Sequence, residues 1–133
     1  MLGACTSPSS VDVPVPTAGA RGCARLADAL PGELDGRERR ATEPASHRTA
    51  AWGDPPVVLR CGVPRPPGLT GSEVVVVDGV GWVLSERPAA YVFTTSDLAT
   101  YVQVRVPRST PRTAATAPLV DLAEPIETSV PRR

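Results

Sequence analysis

The sequence predicts an α+β fold, a small two-layer sandwich in which an antiparallel sheet of about five strands carries an N-terminal and a C-terminal helix on one face. Three observations support this prediction. Residues 101–106 alternate strictly between apolar and polar side chains, and Asp78-Gly79 separates two valine-rich runs. Both patterns are typical of antiparallel strands. Apolar residues at helical spacing precede and follow the strands, which places a helix near each end of the chain.

The first predicted helix covers residues 22–30, and Pro31-Gly32 ends it. One of its faces is apolar and consists of Cys23, Leu26, Ala27 and Leu30. Residues 33–50 are charged and lack a clean period, so we expect a surface loop with at most one irregular helical turn. The Arg37-Glu38-Arg39-Arg40 cluster in this loop indicates either a site for an anionic head group or, as is more common, an ordinary solvated surface.

Five segments are predicted to be strands. Residues 57–61 lie between groups of prolines and are continuously apolar apart from Arg60, which indicates a short strand that is buried on both faces. Asp78-Gly79 tolerates positive φ and predicts a tight hairpin turn. In the last strand Val102, Val104 and Val106 are expected to face the core. The predicted strands are residues 57–61, 74–77, 80–84, 91–95 and 101–106.

The second predicted helix covers residues 118–124. Its apolar face consists of Leu119, Leu122, Ala123, Ile126 and Val130, and Pro118 suits the first helical turn. Pro125 lacks a backbone N–H and is expected to kink or end the helix at that point.

The beginning of the chain resembles a lipoprotein start. Leu2-Gly3-Ala4-Cys5 is similar to a bacterial lipobox, in which the thiol of the cysteine carries diacylglycerol. Such a signal needs a basic and apolar segment before it, so lipidation of Cys5 implies a start upstream of Met1. The alternative is a free or buried thiol. Residues 1–19 are therefore interpreted as a lipobox-like start and a Pro/Ser-rich tether, and residues 20–133 as a single domain.

The remaining cysteines, Cys23 and Cys61, suggest one disulfide bond and an exported protein, since an odd count leaves Cys5 for a separate task. Two reduced, buried thiols in a cytoplasmic protein are the alternative. A lipid on Cys5 would make the membrane a partner and would place the chain on the outer face of the cell membrane.

Charge and motifs exclude several classes of function. The chain has 14 basic and 14 acidic residues, so it lacks the positive excess of nucleic-acid binders. The single histidine, His47, and the absence of a CxxC motif argue against zinc. No phosphate loop, nucleophile elbow or dinucleotide motif occurs, and no cofactor is expected.

Four residues are candidates for a binding site, namely Trp52, Asp54, Arg60 and Trp82. Exposed tryptophans can stack on ligands, whereas buried ones supply core volume, which is the favoured interpretation here. Asp54 is expected to accept hydrogen bonds within its turn. Two hypotheses remain: a non-catalytic envelope protein that binds a partner or cell-wall component on the open face of the sheet, and a small enzyme that uses Asp54 with Arg60 or His47.

Several segments together resemble a known family. "CARLADALP", "AAWGDPPVVLRCGVPRP", "VDGVGW", "YVFTTSDLATYVQVRVP" and "LVDLAEPI" are similar to the actinobacterial secreted proteins grouped as domain of unknown function 3515. The resemblance extends from Cys23 to about Val130, and "WGDPPVVLRCG" is its most specific element. It implies an exported or membrane-tethered envelope protein, and it brings no catalytic residues.

Overall fold

Ten short strands, two α-helices and one 3-10 helix make up the computed structural model, which describes residues 9–67 and 73–133. The strands are β1 (Val11–Asp12), β2 (Glu33–Leu34), β3 (Arg37–Arg40), β4 (Thr42–Glu43), β5 (Thr49–Trp52), β6 (Val57–Val63), β7 (Val74–Val77), β8 (Val80–Glu86), β9 (Ala90–Thr95) and β10 (Tyr101–Pro107). The helices are α1 (Cys23–Ala29), the 3-10 helix (Arg112–Ala114) and α2 (Ala117–Ser129).

The main sheet is antiparallel and has eight strands in the order β2-β3-β5-β6-β10-β9-β8-β7. All five predicted strands are present in it, as β6 to β10. The predicted hairpin is also present, because Asp78 and Gly79 both have positive φ (46° and 88°) and connect β7 to β8. The α+β class is therefore confirmed, with more strands than the expected five or so.

The additional strands come from residues 33–50, which we expected to form a surface loop. That expectation is wrong. Strands β2, β3 and β5 extend the main sheet, and β4 pairs in parallel with β1 to make a separate two-stranded sheet. These strands are short, and β3 carries four consecutive charged residues, so no period-2 pattern marks them. Asp35-Gly36 forms the turn between β2 and β3 with positive φ at both residues, the same signal as in the predicted hairpin.

The core lies between one face of the main sheet and the two helices. The three valines of β10 that were predicted to face inward are all fully buried, and Leu26 of α1 and Leu122 of α2 belong to the same buried cluster. The helices also contact each other. The largest buried side chains of the cluster include Trp52, Trp82, Phe93, Leu59 and Leu119.

Helix α2 continues past Pro125 to Ser129, so of the two expected effects of this proline, a kink or an end, the end does not occur. Ile126, just beyond the proline, is completely buried, and the Val130 N–H donates to its carbonyl. Packing therefore supplies a reason for the last turn to stay helical despite the lost hydrogen bond.

The segment that precedes α1 lies against the sheet rather than in solvent. Val13 is buried, and the Ala18 N–H donates to the Gly62 carbonyl. Arg48 donates to the carbonyls of Pro16 and Ala18 at 2.7 and 2.9 Å. We call residues 13–18 the N-terminal strap. Backbone groups of this segment form hydrogen bonds with Arg48 and Gly62, so the segment is not a solvated tether. The domain boundary at residue 20 stays a prediction.

Candidate functional site

The face of the main sheet opposite the helices, here called the outer face, carries polar side chains at its centre. Side chains alternate along β10, and its valines point into the core, so Gln103 and Arg105 point outward. Gln103 lies opposite Arg60 of β6 on one side and Thr94 of β9 on the other. One row of the sheet thus brings together residues that are far apart in the sequence.

A cavity of about 370 Å³ lies on this outer face, and we call it the outer-face groove. Its floor is formed by residues of β8, β9 and β10, namely Val83, Ser85, Val92, Thr94 and Gln103. Arg60, Arg87 and residues 63–67 also line it. Apolar carbons and hydrogen-bonding groups are therefore both available to a ligand, as in most small-molecule sites.

The groove is positively charged. Three of its lining residues are arginines (Arg60, Arg65 and Arg87), and no carboxylate of the described residues lines it. Burial lowers the pKa of the Arg60 guanidinium, and the neighbouring charge of Arg105 lowers it further. Because arginine stays charged in proteins, this clustering is an electrostatic cost that an anion would relieve.

Arg60 is held in place from two sides. Its Nε donates to the Pro14 carbonyl of the N-terminal strap at 3.0 Å, and its Nη1 donates to Gln103 Oε1 at 3.5 Å. The strap and the residue after it also approach Gly62 closely, since an added Cβ there would lie 3.4 Å from the Ala18 carbonyl oxygen and 3.0 Å from that of Gly19. Gly62 has a φ of 95°, so both its conformation and its surroundings require glycine. The strap therefore contacts the outer side of β6 at Arg60 and Gly62.

His47 lines a different and larger cavity, of about 540 Å³, between the start of α1 and the end of α2. Arg25 and Glu127 also line it. Glu127 already forms an ion pair with Arg132 at 3.3 Å. Arg21 lines the cavity as well, so two arginines, a histidine and a carboxylate meet at the ends of the two helices.

Asp54 lies at a third place on the surface. It is exposed and lines cavities with Arg37, which forms an ion pair with Asp35 at 2.9 Å. The Asp54 carboxylate accepts no hydrogen bond from any described residue, so the expected bonds within its turn are not formed there. Neither His47 nor Asp54 lines the groove that contains Arg60.

Trp52 and Trp82 are both completely buried. The Trp52 Nε1–H donates to the Pro31 carbonyl at 3.0 Å, and the guanidinium of Arg39 lies 5.4 Å from its ring centre. Burial lowers the pKa of Arg39. Neither tryptophan lines the groove, so they supply core volume rather than a stacking surface.

The arginines of β3 have partners within the protein. Arg37 pairs with Asp35, Arg39 stacks on Trp52, and Arg40 donates to the Gly53 carbonyl at 2.8 Å and to the Ser9 carbonyl at 2.7 Å. The cluster that was considered for an anionic head group therefore serves mainly to fasten the edge of the sheet.

Cys23 and Cys61 form the predicted disulfide bond, which joins α1 to β6. Cys5 lies outside the described residues, so its lipidation stays a prediction. Within residues 9–67 and 73–133 no group of three or more His, Cys, Asp and Glu side chains is arranged to hold a metal ion. None of the described helices has the length and apolar character that a membrane span requires.

The fold and the disulfide define the class of this protein, a disulfide-linked α+β protein, and the disulfide suggests an oxidising, extracytoplasmic environment. The chain belongs to the family described as "Protein of unknown function (DUF3515)", whose family model matches residues 4–133. This match confirms the resemblance and extends it over nearly the whole chain. No curated protein and no solved structure is significantly similar.

Among the candidate site residues named from the sequence, the groove contains Arg60 alone. Sequence reasoning missed the neutral floor residues and Arg87. The alternation of β10 in the sequence places Gln103 and Arg105 on the face opposite the core. This alternation is the sequence feature that could have indicated the polar residues of the outer face. Which residues of β8 and β9 lie beside them depends on strand register, which the sequence does not state.

Proposed function

We propose that this chain is a non-catalytic protein of the cell envelope that is exported, held at the outer face of the cell membrane by a lipid on Cys5, and binds an envelope component or partner in the outer-face groove. The disulfide bond and the family support the extracytoplasmic location. The lipobox-like sequence before Cys5 supports the anchor.

The observation that carries the binding function is the set of unused polar groups in the groove. The hydroxyls of Ser85 and Thr94 make no hydrogen bond to any residue in the described part of the chain, and both residues line the groove. Two arginines beside them, Arg60 and Arg87, form no ion pair with a carboxylate of the described residues. Convergent hydrogen-bonding groups that the protein itself does not use, beside clustered positive charge, favour a ligand in this groove.

The structure offers no observation in favour of the enzyme hypothesis. His47, Asp54 and Arg60 line three separate cavities. A general base must lie within hydrogen-bond reach of the proton it abstracts, directly or through one water. Residues distributed in this way do not form a common catalytic constellation.

Cysteine labelling tests export and binding together. Ser85→Cys places a thiol in the groove, and Glu124→Cys places a matched control thiol on the exposed surface of α2. A membrane-impermeant maleimide is applied to intact cells and to the purified protein, and each site is quantified by peptide mass spectrometry. We expect Glu124→Cys to react equally in both samples and Ser85→Cys to react several-fold more slowly on cells.

Two results would overturn this proposal in different ways. If neither cysteine reacts on intact cells but both react after lysis, the protein is not exported. If Ser85→Cys reacts as fast on cells as in the purified protein, the groove is empty in its native setting.

Intact-mass measurement tests the anchor. Protein purified from a native host should carry a diacylglyceryl adduct on Cys5, whereas an unmodified Cys5 contradicts the anchor and leaves the groove unaffected.

A further inference from the structure

The charge in the groove is segregated from the rest of the molecule. The chain as a whole has equal numbers of basic and acidic residues. Ion pairs of the described residues involve Arg37, Arg108, Arg112 and Arg132, which lie outside the groove. Arg60 and Arg87, which line the groove, pair with no described carboxylate. The groove therefore presents local positive charge on a neutral protein, and the complementary ligand is an anion.

The arginines lie along a diagonal of the outer face. Arg60 is on β6, and Arg105 is on the neighbouring β10, where it lies opposite Val58. Diagonal neighbours of this kind have Cα atoms roughly 7–8 Å apart. Arg87 follows β8, and its N–H donates to the Ala90 carbonyl, which continues the strand pairing. Standard strand spacing puts the Cα atom of Arg87 roughly 12 Å from that of Arg105. A diagonal of this length suits an extended ligand with more than one negative group.

Neutral donors beside the arginines favour phosphate over carboxylate. Gln103 accepts from Arg60 through Oε1, so its amide N–H groups can donate to a ligand. The Ser85 and Thr94 hydroxyls can donate as well. A carboxylate offers two acceptor oxygens and is satisfied by a single guanidinium, whereas a phosphate group has further oxygens for such donors.

The apolar part of the groove is aliphatic. Its lining includes Val63, Val83, Leu84 and Val92, and none of the described residues that line it is aromatic. Proteins that bind single-stranded nucleic acid stack the bases on aromatic side chains. The groove lacks such a platform, so the groups between the phosphates should be small and aliphatic rather than bases.

We infer that the outer-face groove binds a linear phosphodiester chain with small aliphatic linking units. Its phosphates contact Arg60 and Arg87, which line the groove, and Arg105, which lies between them on the same face but outside the lining. This inference rests on the proposed binding function of the groove and names the chemical class of its ligand. The valines of the floor contact the carbons between the phosphates.

Binding of defined polyanions to the purified, disulfide-bonded protein tests the inference. The probes are a short end-labelled poly(glycerol phosphate), a polyglutamate of equal charge, oligodeoxythymidylate and inorganic phosphate. We expect poly(glycerol phosphate) to bind about tenfold or more tightly than each of the others. Removing one charged hydrogen-bonding partner should weaken binding by about tenfold or more, so Arg60→Gln and Arg87→Gln should each have this effect. The slope of log affinity against log salt should fall by about 0.7 for each lost phosphate contact.

Arg25→Gln is the charge-matched control, because Arg25 is exposed on α1, which packs against the opposite face. It should leave affinity and salt slope unchanged. Arg60→Gln also removes the bond to the Pro14 carbonyl, so thermal unfolding is measured for each variant. If Arg60→Gln lowers the unfolding temperature, the test rests on Arg87→Gln, because Arg87 forms no hydrogen bond with the strap.

Four results would overturn the inference. The first is polyglutamate binding with the same affinity as poly(glycerol phosphate), and the second is oligodeoxythymidylate binding more tightly than poly(glycerol phosphate). The third is inorganic phosphate binding as tightly as poly(glycerol phosphate). The fourth is an equal loss of affinity in Arg25→Gln and Arg87→Gln. If poly(glycerol phosphate) does not bind but Ser85→Cys still reacts more slowly with maleimide on cells than in the purified protein, the proposed function stands and only the ligand class is wrong.

Discussion

Arg60 is the only charged residue of β6, and its position explains why a charge is tolerated there. The alternation of the strand points its side chain to the outer face, while Leu59 and Cys61 on either side point into the core. The strap carbonyl of Pro14 and the amide oxygen of Gln103 accept its hydrogen bonds. The side chain of Arg60 thus lies on the outer face of the sheet, although its neighbours in β6 are buried, and its guanidinium is held toward the groove.

The two tryptophans differ in a hydrogen bond whose contribution can be tested. Both are fully buried, but only Trp52 donates from Nε1, whereas Trp82 Nε1 has no hydrogen-bond partner among the described residues. Replacing either by phenylalanine removes similar volume. We expect Trp52→Phe to lower the free energy of unfolding by about 1 kcal/mol more than Trp82→Phe, since only the former loses a hydrogen bond.

Urea unfolding followed by circular dichroism measures this difference, with each variant serving as the control for the other. A Trp82→Phe variant that is destabilised as much as Trp52→Phe would contradict the assignment.

At the scale of elements, α2 shows how packing overrides a local signal. Pro125 lies inside the helix and cannot donate to the carbonyl four residues earlier, at Asp121. Asp121 is exposed, so water can solvate that carbonyl. Beyond the helix, the Ala99 N–H donates to the Pro131 carbonyl and the Arg133 N–H donates to the Asp97 carbonyl. These bonds tie the chain end to the segment before β10 and support the last helical turn.

Pro125→Ala should stabilise the protein. Alanine restores the backbone hydrogen bond to the Asp121 carbonyl and removes a poor helix former, so the free energy of unfolding should rise by about 1–3 kcal/mol. Chemical denaturation measures the change.

Glu124→Ala, at the exposed neighbouring position, is the control and should shift stability by less than about 0.5 kcal/mol. A loss of stability in Pro125→Ala would show instead that the fold depends on the shape of the helix at this proline.

At the scale of the whole molecule, the disulfide and the strap both fasten β6, which lies between β5 and β10 in the sheet. Cys61 joins the core side of β6 to α1, and the strap covers its outer side at Arg60 and Gly62. The Cα atoms of Cys23 and Cys61 are 5.7 Å apart and separated by 38 residues in sequence. The described segment from the strap to α1 is therefore attached to the sheet on both of its faces.

Removal of this cross-link should be costly. The chain-entropy model gives about 4 kcal/mol for a loop of this length, so Cys23→Ala/Cys61→Ala should lower the free energy of unfolding by about that amount. Denaturation with and without reductant measures it. Reductant should destabilise the parent chain and leave the double variant unchanged.

Thiol alkylation of the folded parent protein without reductant provides an independent check. Labelling of both Cys23 and Cys61 would contradict the disulfide.

The sequence alone determined the features that depend on neighbours in the chain. Alternation placed β10 and its buried valines, Asp78-Gly79 placed the β7–β8 turn, and helical spacing placed α1. The pairing of the cysteines and the family also followed from residue pattern. Each of these signals works over a few residues, where side-chain spacing and allowed φ values suffice.

Only the tertiary structure decided what depends on distant partners. The polar strands β2 and β3 form because the edge of the sheet offers them backbone partners, and α2 passes Pro125 because Ile126 is buried. The groove arises in the same way, since strand register brings Arg60, Gln103 and Thr94 into one row. Sequence placed Arg60 on a strand, but long-range pairing between strands, which no local pattern encodes, surrounded it with the groups that make a candidate binding site.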